Sequence, residues 1–310
     1  MSKEKGGRNS STQTQTRMHE GEIVIDSVLV RQLLNEQFPA LAHKPLELLR
    51  TSGTVNAIFR LGNDLVVRLP HLQKWEQSLL DEWIWLPKLA PHLPFALPVP
   101  VALGKPSENY TCHWAIYRWI DSQPYEDSLI DDEPQAAADL AAFIQALRSV
   151  NSTGAPPGGR SPIPELDEDT RGAIWAARHI LNYDEVSLAW ERALKAPLWE
   201  GTPVWIHGDL LKSNLLVKNG RIHAVIDFGS IGIGDPAADI VPAWSVFNAL
   251  GRQVFRKALN VDDATWQRAR AYALHQALLI IPYYPDTNPD FVSMAKRTVA
   301  EVLKDLREHQ

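Results

Sequence analysis

The sequence predicts an α+β chain of two lobes, a small β-rich one over residues 18–119 and a larger helical one over residues 120–310. Three observations carry that expectation. At 310 residues the chain is long for a single hydrophobic core and suits two units of ordinary size. Runs of β-branched and aromatic residues separated by Gly, Asn and Ser turns are concentrated before residue 120. Beyond it, helix-forming stretches such as AAADLAAFIQALRSV take over.

Residues 1–17 are polar throughout after Met1, the composition of a disordered tail or of a vector or start-site extension, and Met18 reads as the start of the folded chain. Ile23, Val24 and Ile25 give a short extended piece. Val28, Leu29, Leu33, Leu34 and Phe38 then space a helix that is capped at Asp26 or Ser27 and ends before Pro39. Three β-rich runs follow at 46–49, 55–61 and 65–69; Thr51, Ser52, Gly53 and Thr54 join the first two, and Gly62-Asn63-Asp64 turns the chain into the third. A helix over 77–89, a Pro-punctuated connector over 93–103 and an apolar strand over 114–120 complete the first lobe.

The second lobe opens with seven carboxylates and no Lys or Arg over 121–139, merging into a helix over 134–150. A Gly, Pro and Ser loop or lid over 151–164 and four more carboxylates over 165–169 lead to a Trp-containing helix over 171–181. Helices over 243–257, 263–284 and 290–307 close the chain, with a break at Tyr283-Tyr284-Pro285. The acidic stretches are either solvated helix starts, where carboxylates favour the helix dipole, or a rim that attracts cations.

Composition narrows the function classes. An apolar fraction of 45% and a charged fraction of 22% are those of a globular protein, and a net charge of −6 offers no basic excess for a nucleic-acid partner. The single cysteine, Cys112, excludes an intramolecular disulfide, points to a reducing cytoplasmic setting, and lies in an apolar run as a buried small side chain rather than a nucleophile. No run approaches the ~18 apolar residues of a membrane span, so no membrane partner is expected.

The chemistry is concentrated in residues 205–239, WIHGDLLKSNLLVKNGRIHAVIDFGSIGIGDPAAD. Asn214 lies five residues after Asp209. Two short apolar runs around Asn219-Gly220 predict a tight hairpin that brings Asp227 back toward Asp209 and Asn214. Two carboxylates and a carboxamide then converge. A Mg²⁺ ion takes hard oxygens and keeps waters and substrate phosphates in its shell, so two of these groups suit a metal–phosphate complex. The third is free to accept the proton of an attacking hydroxyl.

The spacing H-x-D-x-x-x-x-N followed by Asp227-Phe228-Gly229 fits the protein-kinase catalytic set, with Gly208 in place of Arg. His207-Gly208-Asp209, with Gly234-Asp235-Pro236-Ala237 and Asp239 downstream, resembles the aminoglycoside phosphotransferase family, kinase-like enzymes that phosphorylate small-molecule hydroxyls. The resemblance covers the chain from Met18 on and implies a two-lobed protein-kinase-like fold. It implies Asp209 as base or orienter for the acceptor hydroxyl, and Asn214 and Asp227 as holders of Mg²⁺. Backbone amides of Ser52, Gly53 and Thr54 would cover the phosphates of ATP or GTP. Arg68 would hold those phosphates in place of the usual Lys, paired to Glu82 or alternatively Glu76, and the backbone of Arg118, Trp119 and Ile120 would meet the purine. His207 and Asp235 would organise the loop, and Lys212 is either a phosphate contact or an exposed lysine. The acceptor it implies is an aminoglycoside-type, cationic molecule. A macrolide or a choline- or sugar-type metabolite is the alternative within the class, and a nucleotide-binding pseudokinase scaffold the alternative outside it. A protein kinase is disfavoured by the absence of Ala-Pro-Glu and of room for an activation loop between Gly229 and Gly234.

Overall fold

The computed structural model describes residues 23–49, 55–285 and 287–308. The tail over 1–17 and the loop residues Ser52, Gly53 and Thr54 lie outside the described residues. The chain divides into two compact units, Met1–Glu76 with Val101–Trp119, and Gln77–Pro100 with Ile120–Gln310.

In the first unit, helix α1 (Ser27–Gln37) begins where the Asp26 carboxylate accepts hydrogen bonds from the Val28 and Leu29 amides, at 3.0 and 2.9 Å. Its buried stripe of Val30, Leu33 and Leu34 lies on a five-stranded sheet of β1 (Leu46–Leu48), β2 (Asn56–Leu61), β3 (Leu65–Pro70), β4 (Pro100–Gly104) and β5 (Trp114–Arg118), in the order β1-β2-β3-β5-β4. Strand alternation sets which side chains meet the helix. Ala57, Phe59 and Leu61 of β2 and Leu65, Val67 and Leu69 of β3 join Cys112, Trp114 and Ile116 in the core. Each fully buried Leu or Val there stabilises by about 1.5–3 kcal/mol. Cys112 is a buried core residue, and burial pushes its thiol pKa up. The alternation leaves Arg68 on the other face of β3, in register with Ile58 and Ala115.

The second unit takes in most of α2 (Glu76–Leu89), whose buried positions Leu79, Glu82, Leu86 and Leu89 follow a helical stripe. A three-stranded sheet in the order β6-β8-β9 is made by β6 (Gln123–Pro124), β8 (Leu215–Lys218) and β9 (Arg221–Val225); β7 (Val204–Ile206) pairs antiparallel with β10 (Gly232–Gly234). The hairpin turn is the expected one. Asn219 and Gly220 have φ of 53° and 75°, and a Cβ on Gly220 would fall 1.8 Å from the Asp131 carboxylate, so only glycine fits.

Helices α3 (Glu133–Ser149), α4 (Asp167–Ala176), α5 (Tyr183–Ala193), α6 (Pro242–Ser245), α7 (Ala249–Ala258), α8 (Asp263–Tyr283) and α9 (Pro289–Glu308) make up the rest of the unit. The helix expected over 243–257 is two helices. Asn248 interrupts it, its side chain accepting from the Leu250 and Gly251 amides while its own N–H and amide donate to Glu133, a cap stronger than the helical preference of its neighbours. Helix α8 is buried nearly all round, which makes its polar members Arg268, His275 and Gln276 conspicuous. Among the described residues no helix is long and apolar enough to cross a membrane.

Candidate active site

Pairing of β7 with β10 sets Ile206 opposite Gly232 and brings Gly208 beside Ser230. Gly208 has φ of 80°, and a Cβ there would stand 3.0 Å from the Ser230 carbonyl oxygen, so the position takes glycine where kinases have arginine. The fully buried Asp239 carboxylate accepts from the His207 and Gly208 amides, each at 2.8 Å, and fixes the start of the loop. His207 fixes the rest. The Asp209 amide donates to its Nδ1 at 3.2 Å, which puts the ring proton on Nε2, 3.2 Å from the Ile226 carbonyl oxygen, and the ring lies edge-on to Phe228 with centroids 4.5 Å apart.

Asn214 ends the turn Lys212–Asn214 before β8, and its Nδ2 donates to the Asp209 carbonyl at 2.8 Å and to Asp209 Oδ2 at 3.0 Å. Its own carbonyl accepts from the Ile226 amide at 2.9 Å. Asp209 and Asn214 are therefore in direct contact, and Asp227 is held beside them through the residue that precedes it. Asp227 has φ of 62°, a left-handed conformation that costs a non-glycine residue roughly 1 kcal/mol or more and is concentrated at functional sites.

The other oxygen of Asp209 receives further donors. Oδ1 accepts from Arg160 Nη2 at 3.2 Å and from Gln276 Nε2, while Arg160 Nε donates to the Gly208 carbonyl at 2.6 Å. Neither Arg160 nor Gln276 was assigned a role from the sequence. Arg160 had a signal, being the sole basic residue in the Gly, Pro and Ser loop over 151–164; Gln276, in the middle of α8, had none.

For a divalent cation the donor set fits. The amide nitrogen of Asn214 is committed to Asp209, which leaves its carboxamide oxygen and the Asp227 carboxylate as hard ligands. Among the described residues no group of three or more His, Cys, Asp or Glu is placed to hold a metal. A shell built on Asn214 and Asp227 would be completed by phosphate and water oxygens, the habit of Mg²⁺.

The remaining expected residues are placed as follows. Arg68, 8% exposed, lies over the Tyr117 ring at 5.2 Å in the first unit, and Glu82 is fully buried in the second. Glu76 binds the His113 amide and ring, each at 2.6 Å. Arg118 is exposed, Trp119 is stacked under the Arg60 guanidinium at 3.6 Å and donates its amide to the Asp64 carbonyl, and Ile120 is half-buried. Lys212 is not exposed: its side chain is mostly buried and paired with Asp127 at 2.5 Å. Asp235 is gripped by Arg268 at 2.6 Å and caps the Ala237 amide.

The acidic stretches are largely structural. Asp121 pairs with Lys218, Asp127 with Lys212 and Arg297, Asp139 with Arg221 and Asp167 with Arg171, while Asp132 caps α3 and Glu133 holds Asn248.

His275, one residue before Gln276, donates from Nδ1 to Thr170 Oγ1 at 2.8 Å, since that hydroxyl is spent on the Leu166 carbonyl. Burial first, and the Arg160 charge second, depress its pKa to about 4. The folded pKa lies below the unfolded value, so the stability this neutral imidazole confers is complete above pH ~6.5 and declines as pH falls toward 4, by on the order of 3 kcal/mol. Urea unfolding at pH 7 and pH 4.5 should show that loss, and His275→Gln should flatten it; an unchanged slope in the variant would assign the effect elsewhere.

A family model described as the phosphotransferase enzyme family matches residues 48–272. An uncharacterized protein of Bacillus subtilis (strain 168), YcbJ, is 24% identical over 165 residues, 50% of this chain and 51% of that protein, so the chain spans about half the length of this curated relative. Among solved structures, the GDP complex of wild-type aminoglycoside 2'-phosphotransferase-IIIa superposes with a TM-score of 0.70 at 21% identity, over 91% of this chain and 99% of that one. Macrolide 2'-phosphotransferase type I does so with a TM-score of 0.60 at 18% identity, over 89% and 96%. The likeness is one of fold, the α+β kinase-like fold with a small sheet-based unit and a larger helical one.

Proposed function

The chain belongs to the phosphotransferase enzyme family, and from that premise we propose that it transfers the terminal phosphoryl group of ATP or GTP to a hydroxyl group of a small molecule. The observation that carries the reading is the state of Asp209. Its Oδ2 bonds only the Asn214 amide among the described residues, so a lone pair is left to take the proton of an acceptor hydroxyl. Asn214 Oδ1 and the Asp227 carboxylate would hold Mg²⁺, which when bound neutralises charge on the phosphate oxygens. Arg68, paired to Glu82, would clamp the phosphates with the backbone of Ser52, Gly53 and Thr54, and the backbone of residues 118–120 would read the purine. A cytoplasmic setting, where nucleoside triphosphates are available, belongs to the same reading.

An aminoglycoside-type acceptor is the first choice, in line with the kanamycin and GDP complex of a structural neighbour at a TM-score of 0.70. Ion pairing of four of the eleven acidic side chains within the fold favours keeping a macrolide or a choline- or sugar-type metabolite as the second, because part of the negative field expected to draw a polycation is spent internally. Phosphorylation of kanamycin, erythromycin, choline and simple sugars, each with ATP and with GTP, separates these. Transfer to kanamycin with kcat/KM falling as salt rises supports the cationic acceptor, and binding of Mg²⁺–nucleotide without transfer to any small hydroxyl would support the scaffold.

Metal ligation has its own test. Asp227→Asn should weaken Mg²⁺-dependent nucleotide binding by about 10-fold or more in calorimetry, because an amide is a poorer Mg²⁺ ligand than a carboxylate. Identical Mg²⁺ dependence in the variant would remove Asp227 from the metal.

A further inference from the structure

We infer that Arg160 is a catalytic residue of this site, a built-in guanidinium that meets the phosphoryl group in transit and offsets the charge on its oxygens. The inference rests on the reading of Asp209 as the acceptor base. An acceptor hydroxyl must lie within hydrogen-bond reach of the Asp209 carboxylate, with the phosphorus on its far side. Among the described residues Oδ1 already accepts from Arg160 and Gln276, whereas Oδ2 accepts from Asn214 alone, so the hydroxyl takes Oδ2 and the guanidinium stands across the same carboxylate. Arg160 Nε is fixed on the Gly208 carbonyl and Nη2 on Asp209, and Nη1 has no hydrogen-bond partner among the described residues.

A structural role explains the arginine poorly. The loop that carries it is held by its backbone: the Gly158 amide donates to the Ile233 carbonyl at 2.9 Å, the Gly159 amide to Ser230 at 3.2 Å, and the Ile233 amide returns to Pro156 at 2.8 Å. A cation placed at only 16% exposure against the acceptor base makes sense where negative charge develops in the reaction. In the step, the hydroxyl oxygen bonds to the γ-phosphorus and the bond from that phosphorus to the β,γ-bridging oxygen breaks. The nucleoside diphosphate leaves with the electron pair, the proton passes to Asp209, and the Arg160 charge stays with the phosphoryl oxygens throughout. Cationic groups of this kind contribute about 10³–10⁵-fold in other phosphoryl-transfer enzymes.

The test needs no acceptor. Mg²⁺–ADP or Mg²⁺–GDP with aluminium fluoride mimics the phosphoryl group in flight, and its binding is read by calorimetry and by the rise in melting temperature. Wild type should bind the diphosphate and gain further from fluoride. Arg160→Gln should bind the diphosphate as wild type does and lose the fluoride-dependent gain by about 10-fold or more, with Arg160→Lys in between. A fluoride complex of wild-type affinity in Arg160→Gln overturns the inference, as does a wild type that binds diphosphate with no gain from fluoride. Should Arg160→Gln not fold, Arg160→Lys decides, with undiminished fluoride binding counting against the proposal. A wild type that binds no Mg²⁺–nucleotide at all overturns instead the phosphotransferase reading beneath it.

Discussion

Asp209→Asn is expected to lower phosphoryl transfer by about 10²–10⁴-fold while leaving nucleotide affinity within about twofold of wild type. The substitution keeps the shape of the side chain and removes its charge and one acceptor. Three donors converge on the native carboxylate, from Arg160, Gln276 and Asn214, and an asparagine can satisfy them only through its single oxygen. Its amide must then point at a donor or at the acceptor hydroxyl, and neither orientation leaves a site for the proton. The proposal gives the metal and phosphates to Asn214, Asp227 and Arg68, and Asn214 keeps its hydrogen bond to the Asp209 backbone carbonyl in the variant, so nucleotide binding should change little. Single-turnover transfer and calorimetric nucleotide titration measure the two quantities separately. Equal losses in both would mean that Asp209 serves the nucleotide complex rather than the acceptor.

Asp239→Ala should remove activity through a different route and unfold the protein more easily, by about 3–5 kcal/mol. The carboxylate is fully buried and is the acceptor for two consecutive backbone amides, His207 and Gly208, at 2.8 Å each. Alanine strands both N–H groups in the interior, where an unsatisfied amide costs about 1–3 kcal/mol. Asp239→Asn is no rescue, since an amide offers one oxygen to two donors and turns its own N–H₂ toward the other. Urea denaturation gives the stability change. A variant as stable as wild type, or one that retains transfer, would show that the loop is fixed by His207 and Asn214 alone.

The asymmetry between these two residues shows what was legible in the sequence. Asp209, Asn214 and Asp227 sit at fixed spacings around a hairpin with its own turn signal at Asn219-Gly220, so local rules lead to their convergence. The strands and α1 likewise declare themselves through alternation and an Asp cap. What holds the loop was hidden. Asp239 belongs to the motif that carries the family resemblance but has no role legible from its neighbours, because that role exists only once antiparallel pairing of β7 with β10 folds 236–240 against 207–208. Arg160 and Gln276 reach Asp209 from 49 and 67 positions away, separations over which no periodic pattern informs. For the acidic stretches, composition registers the charge but not the Lys and Arg that answer part of it from distant elements, such as Arg221 for Asp139 and Arg297 for Asp127.

Pairing of Pro157 with Ile233 limits how a chain of this design can drift. A residue inserted within 156–160 would displace Arg160 by about 3.3–3.8 Å, more than a hydrogen bond tolerates, and a side chain at Gly232 would meet the Gly158 amide nitrogen at 2.5 Å. Four residues upstream the situation reverses, for Gly154 has φ of 77° with open space where a Cβ would go. Length variation is therefore channelled into 151–155, and the half of the loop that carries the guanidinium keeps register with the strand that follows Asp227.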